Sequence, residues 1–266
     1  VMMKHDGAVN SVCFSPNDSL ILTASSDKTA RLWNLEGKEI IKMEHEKGVG
    51  KALFSPDGKK IISTSGDLLS FWNISGKLTS KHKKHSQSIN DVTLSFDGML
   101  LATASNDSSL IVWNQTGQII NTYKSPEEKV YTSNFSNDKK NIIVVTFAKD
   151  AVLFNVETGN IKKLSGHSAA PWSAQFSPDG TKIATASDDG TARLWNLDGN
   201  ELMVLKGHTS QVFSAQFSPD GKNLVTASGD GTARIWNIEM KENPIFKGHT
   251  GYVVDANFSP DGKYIA

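Results

Sequence analysis

Five times along the chain a histidine is followed 18 residues later by a hydroxyl side chain and 22 residues later by an aspartate. The sets are His5, Thr23, Asp27; His45, Ser63, Asp67; His85, Thr103, Asp107; His167, Thr185, Asp189; and His208, Thr226, Asp230. Hydroxyl, imidazole and carboxylate are the parts of a nucleophilic hydrolase, in which the imidazole takes the hydroxyl proton and the carboxylate orients the ring. The repetition argues against that chemistry. An active site needs one constellation beside one pocket, whereas five equal copies in register mark a structural part. No separate nucleophile stands out, so no catalytic residue is expected.

The elements that position these sets are themselves repeated. Trp33-Asn34, Trp72-Asn73, Trp113-Asn114, Trp195-Asn196 and Trp236-Asn237 recur at 39 to 41 residues once Phe154-Asn155 fills the gap in the series. Phe14, Phe54, Leu94, Phe135, Phe176, Phe217 and Phe258 keep the same beat, each before a Ser and a turn such as Pro178-Asp179-Gly180. One unit is therefore copied along the chain. Within the copy that starts at His167, short β-prone runs end at turn formers, with Pro suited to the first central turn position and Gly to positive φ. Each copy reads as four short antiparallel strands with almost no helical periodicity. One such sheet cannot bury both faces, so neighbouring copies must stack, and radial stacking shields their edges.

The chain resembles the WD-repeat family of β-propellers over essentially its whole length. The motif is carried by Gly166-His167, Phe176 through Gly180, Ser187 through Thr191, and Arg193 through Asn196. Asn stands where the family usually has Asp after Trp, an exchange of one turn former for another. The resemblance implies an all-β, seven-bladed propeller of four-stranded antiparallel blades. Six copies hold all their inner strands and the seventh stops at Ala266, so a single domain over residues 1–266 is expected, with an incomplete last blade that residues 1–4 help to close. Val1 is not an initiator methionine, and the natural protein is expected to continue past Ala266. The similar repeats and Trp-Asn endings look like bacterial arrays, which are often fused to signalling domains.

The family pattern also implies a hydrogen-bond chain from Asp to His to Ser or Thr to the indole in each blade. Trp33, Trp72, Trp113, Trp195 and Trp236 would complete the five sets above. Blade four replaces every member by an apolar residue, Pro126, Val144, Ala148 and Phe154, which can be nearly neutral when all partners go together. Blade two keeps His45, Ser63, Asp67 and Trp72 but has one residue fewer between Asp67 and Trp72, which tightens that turn.

Propellers of this kind bind partners mostly on the face of the histidine loops, through positions three and five after each histidine and the one before each aspartate. In blades one to three these are small or polar, as in Asn10, Gly48, Gly50, Gly66 and Asn90. From blade four onward they include Lys129, Tyr131, Trp172, Asp188, Gln211, Phe213 and Tyr252. Tyr131, Trp172, Phe213 and Tyr252 form the expected hot spot, since clustered aromatics often anchor partners. The competing expectation is that these rings pack between blades.

Lys plus Arg equal Asp plus Glu at 28 each, so no net field favours nucleic acid or an anionic membrane. The single cysteine, Cys13, fits a reducing compartment, and a cytoplasmic location is expected. No apolar run is long enough to span a bilayer, and no phosphate loop, dinucleotide fingerprint or metal-ligand spacing is present, so no cofactor or metal is expected. The leading functional expectation is a monomeric, non-enzymatic module that binds a protein or peptide, as the sensor or interaction part of a larger regulatory protein. The alternative is a propeller attached to a hydrolase or peptidase. A third reading is a structural spacer.

Overall fold

The computed structural model describes residues 3–126, 128–238, 245–247 and 249–266. Among them the strands form six four-stranded antiparallel sheets, each in chain order. Blade one holds β1 (Val9–Phe14), β2 (Leu20–Ser25), β3 (Thr29–Asn34) and β4 (Glu39–Glu44). Blade two holds β5 (Val49–Phe54), β6 (Lys60–Ser65), β7 (Leu68–Asn73) and β8 (Leu78–Lys83), and blade three β9 (Ile89–Leu94), β10 (Leu100–Ser105), β11 (Ser109–Asn114) and β12 (Ile119–Lys124). Blade four holds β13 (Val130–Phe135), β14 (Asn141–Thr146), β15 (Ala151–Asn155) and β16 (Ile161–Leu164). Blade five holds β17 (Pro171–Phe176), β18 (Lys182–Ser187), β19 (Thr191–Asn196) and β20 (Glu201–Lys206), and blade six β21 (Val212–Phe217), β22 (Asn223–Ser228), β23 (Thr232–Asn237) and β24 (Ile245–Lys247). The seventh repeat contributes a single bridge, Phe258 to Ile265. This is the all-β propeller architecture.

The backbone clusters into two compact units, Val1–Lys124 with Lys129–Tyr131, and Ser125–Glu128 with Thr132–Ala266. Inside each, the core lies in the seams between consecutive blades. In the first unit Leu22, Leu32 and Met43 of blade one meet Val49, Phe54 and Trp72 of blade two, and Ile62 and Phe71 meet Val92 and Trp113 of blade three. In the second, Ile143 and Leu153 meet Phe176 and Trp195, and Leu194 and Leu205 meet Phe217 and Trp236. Trp72, Trp113, Trp195 and Trp236 thus each fill the seam toward the blade before them. Burial on both faces is why the second strands are nearly uniform apolar or hydroxyl runs such as β18.

Two turns repeat with their physical cause visible. Before each second strand a serine hydroxyl donates to a turn side chain, Asn17 in blade one and an aspartate in blades two to six, as Ser177 Oγ does to Asp179 Oδ1 at 2.5 Å, and the next residue has positive φ, 70° at Gly180. Blades one and four hold Asp18 and Lys139 there instead, at φ 55° and 63°. After the third strands of blades one to five the asparagine Oδ1 accepts backbone N–H groups: at Asn196 from Asp198 and Asn200, 3.0 and 2.9 Å, and at Asn73 from Ser75 and Lys77, 3.1 and 2.9 Å. These turn bonds use only the side-chain oxygen, so Asn serves where Asp is usual.

Of the N-terminal strand expected over residues 1–4, Val1 and Met2 lie outside the described residues, and Met3 and Lys4 belong to no strand.

Candidate functional site

The recurring polar set is assembled by the strands. Thr23 on β2, Thr103 on β10, Thr185 on β18 and Thr226 on β22 lie next to third strands whose tryptophan Nε1–H donates to the hydroxyl oxygen, at 2.8, 2.9, 2.9 and 2.7 Å. The same oxygens stand 2.6 to 2.7 Å from Nε2 of His5, His85, His167 and His208. The other ring nitrogen, Nδ1, stands 2.8, 3.0, 2.8 and 2.9 Å from Oδ2 of Asp27, Asp107, Asp189 and Asp230. With the indole N–H aimed at the hydroxyl oxygen, the proton order runs one way: indole to hydroxyl, hydroxyl to Nε2, Nδ1–H to carboxylate.

Each aspartate takes further bonds. Asp189 also accepts the Ser168 N–H at 3.0 Å, the Thr191 N–H at 2.9 Å and the Thr191 hydroxyl at 2.6 Å. Burial by itself would raise the carboxyl pKa. The bonds from Thr191, His167 and Ser168 outweigh it and hold Asp189 below the usual range, and the same balance puts Asp107 at about 2 and depresses Asp27 and Asp230. Burial pushes His85, His167 and His208 below the ordinary imidazole value despite their carboxylates. The rings are therefore neutral donors at neutral pH.

This is triad geometry without triad access. Thr103, Thr185 and Thr226 are fully buried and Thr23 is 4 % exposed, and each hydroxyl oxygen already receives an indole N–H. No substrate carbonyl reaches that oxygen.

Blade two departs from the expected network. His45 Nε2 lies 2.8 Å from Ser63 Oγ, and Trp72 Nε1 donates to the same oxygen at 2.8 Å, but Asp67 does not bond the ring. His45 Nδ1 instead faces the Met43 carbonyl at 3.1 Å. The missing residue is the cause. In blade one the pairing of β2 with β3 ends at Ala24–Ala30, but β6 and β7 pair through to Ser65–Leu68, leaving only Gly66 and Asp67 in the hairpin loop. Gly66 supplies the positive φ, 58°, that a two-residue loop needs. Asp67 is turned toward Lys83 and Lys47, 3.1 and 3.2 Å away, and Lys83 first, then its own N–H and Lys47, hold it at about 2. In blade four Val144 and Phe154 are fully buried, Ala148 is half-buried and Pro126 is exposed, so the polar chain is replaced by packing.

The expected partner positions sit at a feature that periodicity hides. In blades one, two, three, five and six the pairing of first and second strands slips by one residue, and the residue skipped is Asn10, Gly50, Asn90, Trp172 or Phe213. Such a bulge re-aims one side chain out of the sheet. Trp172 and Phe213 meet edge to face at 5.9 Å between centroids, and Phe213 meets Tyr252 at 6.1 Å. Trp172 and Phe213 are half-buried and Tyr252 is 72 % exposed, so the rings pack on one another and still present a surface. Asp188 accepts the Trp172 indole N–H at 2.6 Å; Gln211 and Lys129 are exposed. Tyr131, 38 % exposed, belongs to the first unit. In that unit the bulged asparagines tie blades together: Asn10 Nδ2 donates to the Val49 carbonyl and Asn90 Nδ2 to the Val130 carbonyl, both at 2.8 Å.

An arginine stands two residues before three of the tryptophans, at Arg31, Arg193 and Arg234. Arg31 bridges Asp27 at 3.1 Å and Glu39 at 2.9 Å, and Arg193 bonds Glu201. The eight-residue Arg–Glu spacing was its visible signal. Among the described residues no group of three or more His, Cys, Asp or Glu could hold a metal ion.

Six four-stranded blades, with this Asp–His–Thr–Trp chain in blades one, three, five and six, define a WD-type β-propeller. The family described as "IFT122 first beta-propeller" matches residues 1–237, and "WD domain, G-beta repeat" matches residues 240–266. The chain belongs to the first-propeller family of IFT122, within the WD-repeat propellers, and nothing in that match carries the expected bacterial origin or signalling role. Over 36 residues it is 50% identical to U3 small nucleolar RNA-associated protein 13 of Saccharomyces cerevisiae. That stretch is 14% of this chain and 4% of the yeast protein.

Proposed function

We propose that this propeller is a non-enzymatic module of a larger assembly, and that it holds a protein or peptide partner on the face of the bulged first-strand residues. The observation that carries the reading is the continuous row Trp172, Phe213 and Tyr252, three aromatic rings brought together from consecutive repeats. Asp188 and Gln211 belong to the same unit as that row and complete the contact set there, while Tyr131 and Lys129 belong to the other unit. Rigid aromatic rings give large contact area at low rotamer cost. Residues 1–266 act as one domain, placed in the cytoplasm in keeping with the lone Cys13. A regulatory sensor gains no support from the family match, and an attached hydrolase or peptidase would have to bring its own catalytic centre. The small nucleolar RNA in the yeast protein's name is not carried over, because the shared stretch is about one repeat long and the charges here balance.

Affinity capture with the whole chain, followed by titration of the captured partner, tests this. Trp172→Ala and Phe213→Ala should each weaken binding by about 2 kcal/mol with little change in melting temperature, as central anchors do. Asn10→Ala, at the same register position, should leave binding nearly unchanged. Normal binding by both aromatic variants would reduce the row to inter-blade packing.

A further inference from the structure

Blade two contains a cavity of about 170 Å³ that the aromatic row does not explain. It is lined by His45, Ser70, Trp72 and Leu78, with Glu46 and Lys81 at its mouth. Its position has a meaning that the repeat supplies. Counted from the tryptophan, Ser70 occupies the place of Arg31 and Arg193, and Leu78 the place of Glu39 and Glu201. In blade five a Cβ added at Gly166 would lie 2.6 Å from Arg193 Nη1, 2.9 Å from Glu201 Oε2 and 3.0 Å from Trp195 Cη2, so guanidinium, carboxylate and indole converge at that point. Blade six repeats the arrangement, with Arg234 Nη1 at 2.7 Å and Trp236 Cη2 at 3.2 Å from a Cβ at Gly207. In blade two the arginine is absent and the space is open.

We propose that this cavity receives an arginine side chain from a partner protein, which supplies in trans the guanidinium that blades one, five and six carry in their own chain. The volume suits the group: a cavity of ~150 Å³ accommodates benzene, a planar group of six heavy atoms, and a guanidinium has four. Ser70 gives the cavity an unused polar group. Its side chain lines the space, the residue is 2 % exposed, and its hydroxyl has no hydrogen-bond partner among the described residues. A hydroxyl oxygen that faces the space can accept a hydrogen bond from a ligand's N–H donor.

Charge points the same way. Glu44 and Glu46 flank the opening, each shared with one lysine, Lys42 at 3.1 Å and Lys81 at 2.7 Å, and both carboxylates are largely exposed. Exposed lysine pairs are weak and exchange readily for a bidentate guanidinium. His45 adds no opposing charge, since burial lowers its pKa and its ring nitrogens are engaged by Met43 and Ser63. The charged groups that line the space are two carboxylates, Glu44 and Glu46, and one ammonium, Lys81.

The test is titration of the whole chain with N-acetylarginine amide, read by the indole N–H resonances of the tryptophans. The Trp72 resonance should move saturably at millimolar probe while those of Trp33 and Trp195, whose sites hold their own arginines, stay in place. Ser70→Arg with Leu78→Glu should abolish the shift and raise the melting temperature; Leu78→Phe, which plugs the cavity from an exposed position, should abolish it independently. No movement of the Trp72 signal would overturn the proposal, as would equal movement with N-acetylnorleucine amide, N-acetyllysine amide or N-acetylaspartate amide. Trp172→Ala should leave the shift intact, so failure here and failure of the aromatic face are separable.

Discussion

Blades five and two carry the same four functional groups, carboxylate, imidazole, hydroxyl and indole, and use them differently. In blade five Asp189, His167, Thr185 and Trp195 form one buried chain in which every donor has an acceptor. In blade two the chain stops at His45, and Asp67 joins two exposed lysines. The groups alone do not make the network. The residue that blade two lacks is the left-handed one after the aspartate, Gly190 in blade five at φ 78° and Lys28 in blade one at φ 70°. That residue lets the carboxylate turn back beneath the histidine loop. A two-residue hairpin loop has no room for it.

The largest effect should separate the two aspartates by deletion. Asp189→Ala or His167→Ala leaves buried polar groups without partners and should cost about 1–3 kcal/mol each by denaturant unfolding. The double variant should cost less than the sum, because the second change removes a group already orphaned. A melt unchanged for both single variants would break the comparison at its stronger end. Inserting one glycine between Asp67 and Leu68 should restore the longer loop and the Asp67–His45 bond, for a gain of about 1 kcal/mol, the usual net value of such a bond. The Nδ1–H resonance of His45 would report it, by moving toward the positions of His85 and His167.

Acid should act next and in one direction. Histidines whose folded pKa lies below the unfolded value, about 6.5, bind more protons when unfolded, so their contribution is full above that pH and is lost as pH falls from it through the lower folded value. The depressed aspartates follow the same sign at lower pH, since their contribution is present above the unfolded value of about 3.9 and disappears toward the folded one. Melting temperature should therefore fall steadily from pH 7 to pH 5, and a flat profile would contradict buried neutral rings. The smallest effect is Asp67→Ala. Its partners are exposed lysines, so the cost should be about 0–1 kcal/mol and shrink further with salt.

How much of this was legible depends on the length scale of each feature. Strand count, order and turns follow from local residues: Pro178-Asp179-Gly180 names its own turn, and Asn196 caps the next one through an oxygen that Asp would equally provide. The identity of the network residues was also readable, because a register kept five times leaves few alternatives. The bonding in blade two was not. One fewer residue was visible in the sequence, but the direction in which Asp67 turned depended on how far β6 and β7 would pair.

The sequence alone determined the repeat, its four-strand unit, the need of each sheet for neighbours and the buried character of the polar set, because these rest on spacing and on the side chains' own hydrogen-bonding capacity. Only the tertiary structure decided where bulges fall, that Trp172, Phe213 and Tyr252 touch, and that the missing arginine of blade two leaves a space instead of a collapsed seam. Those outcomes depend on contacts between residues about forty positions apart. A bulge moves a side chain by reassigning its pairing partner, and a cavity exists only if every neighbour is already held elsewhere.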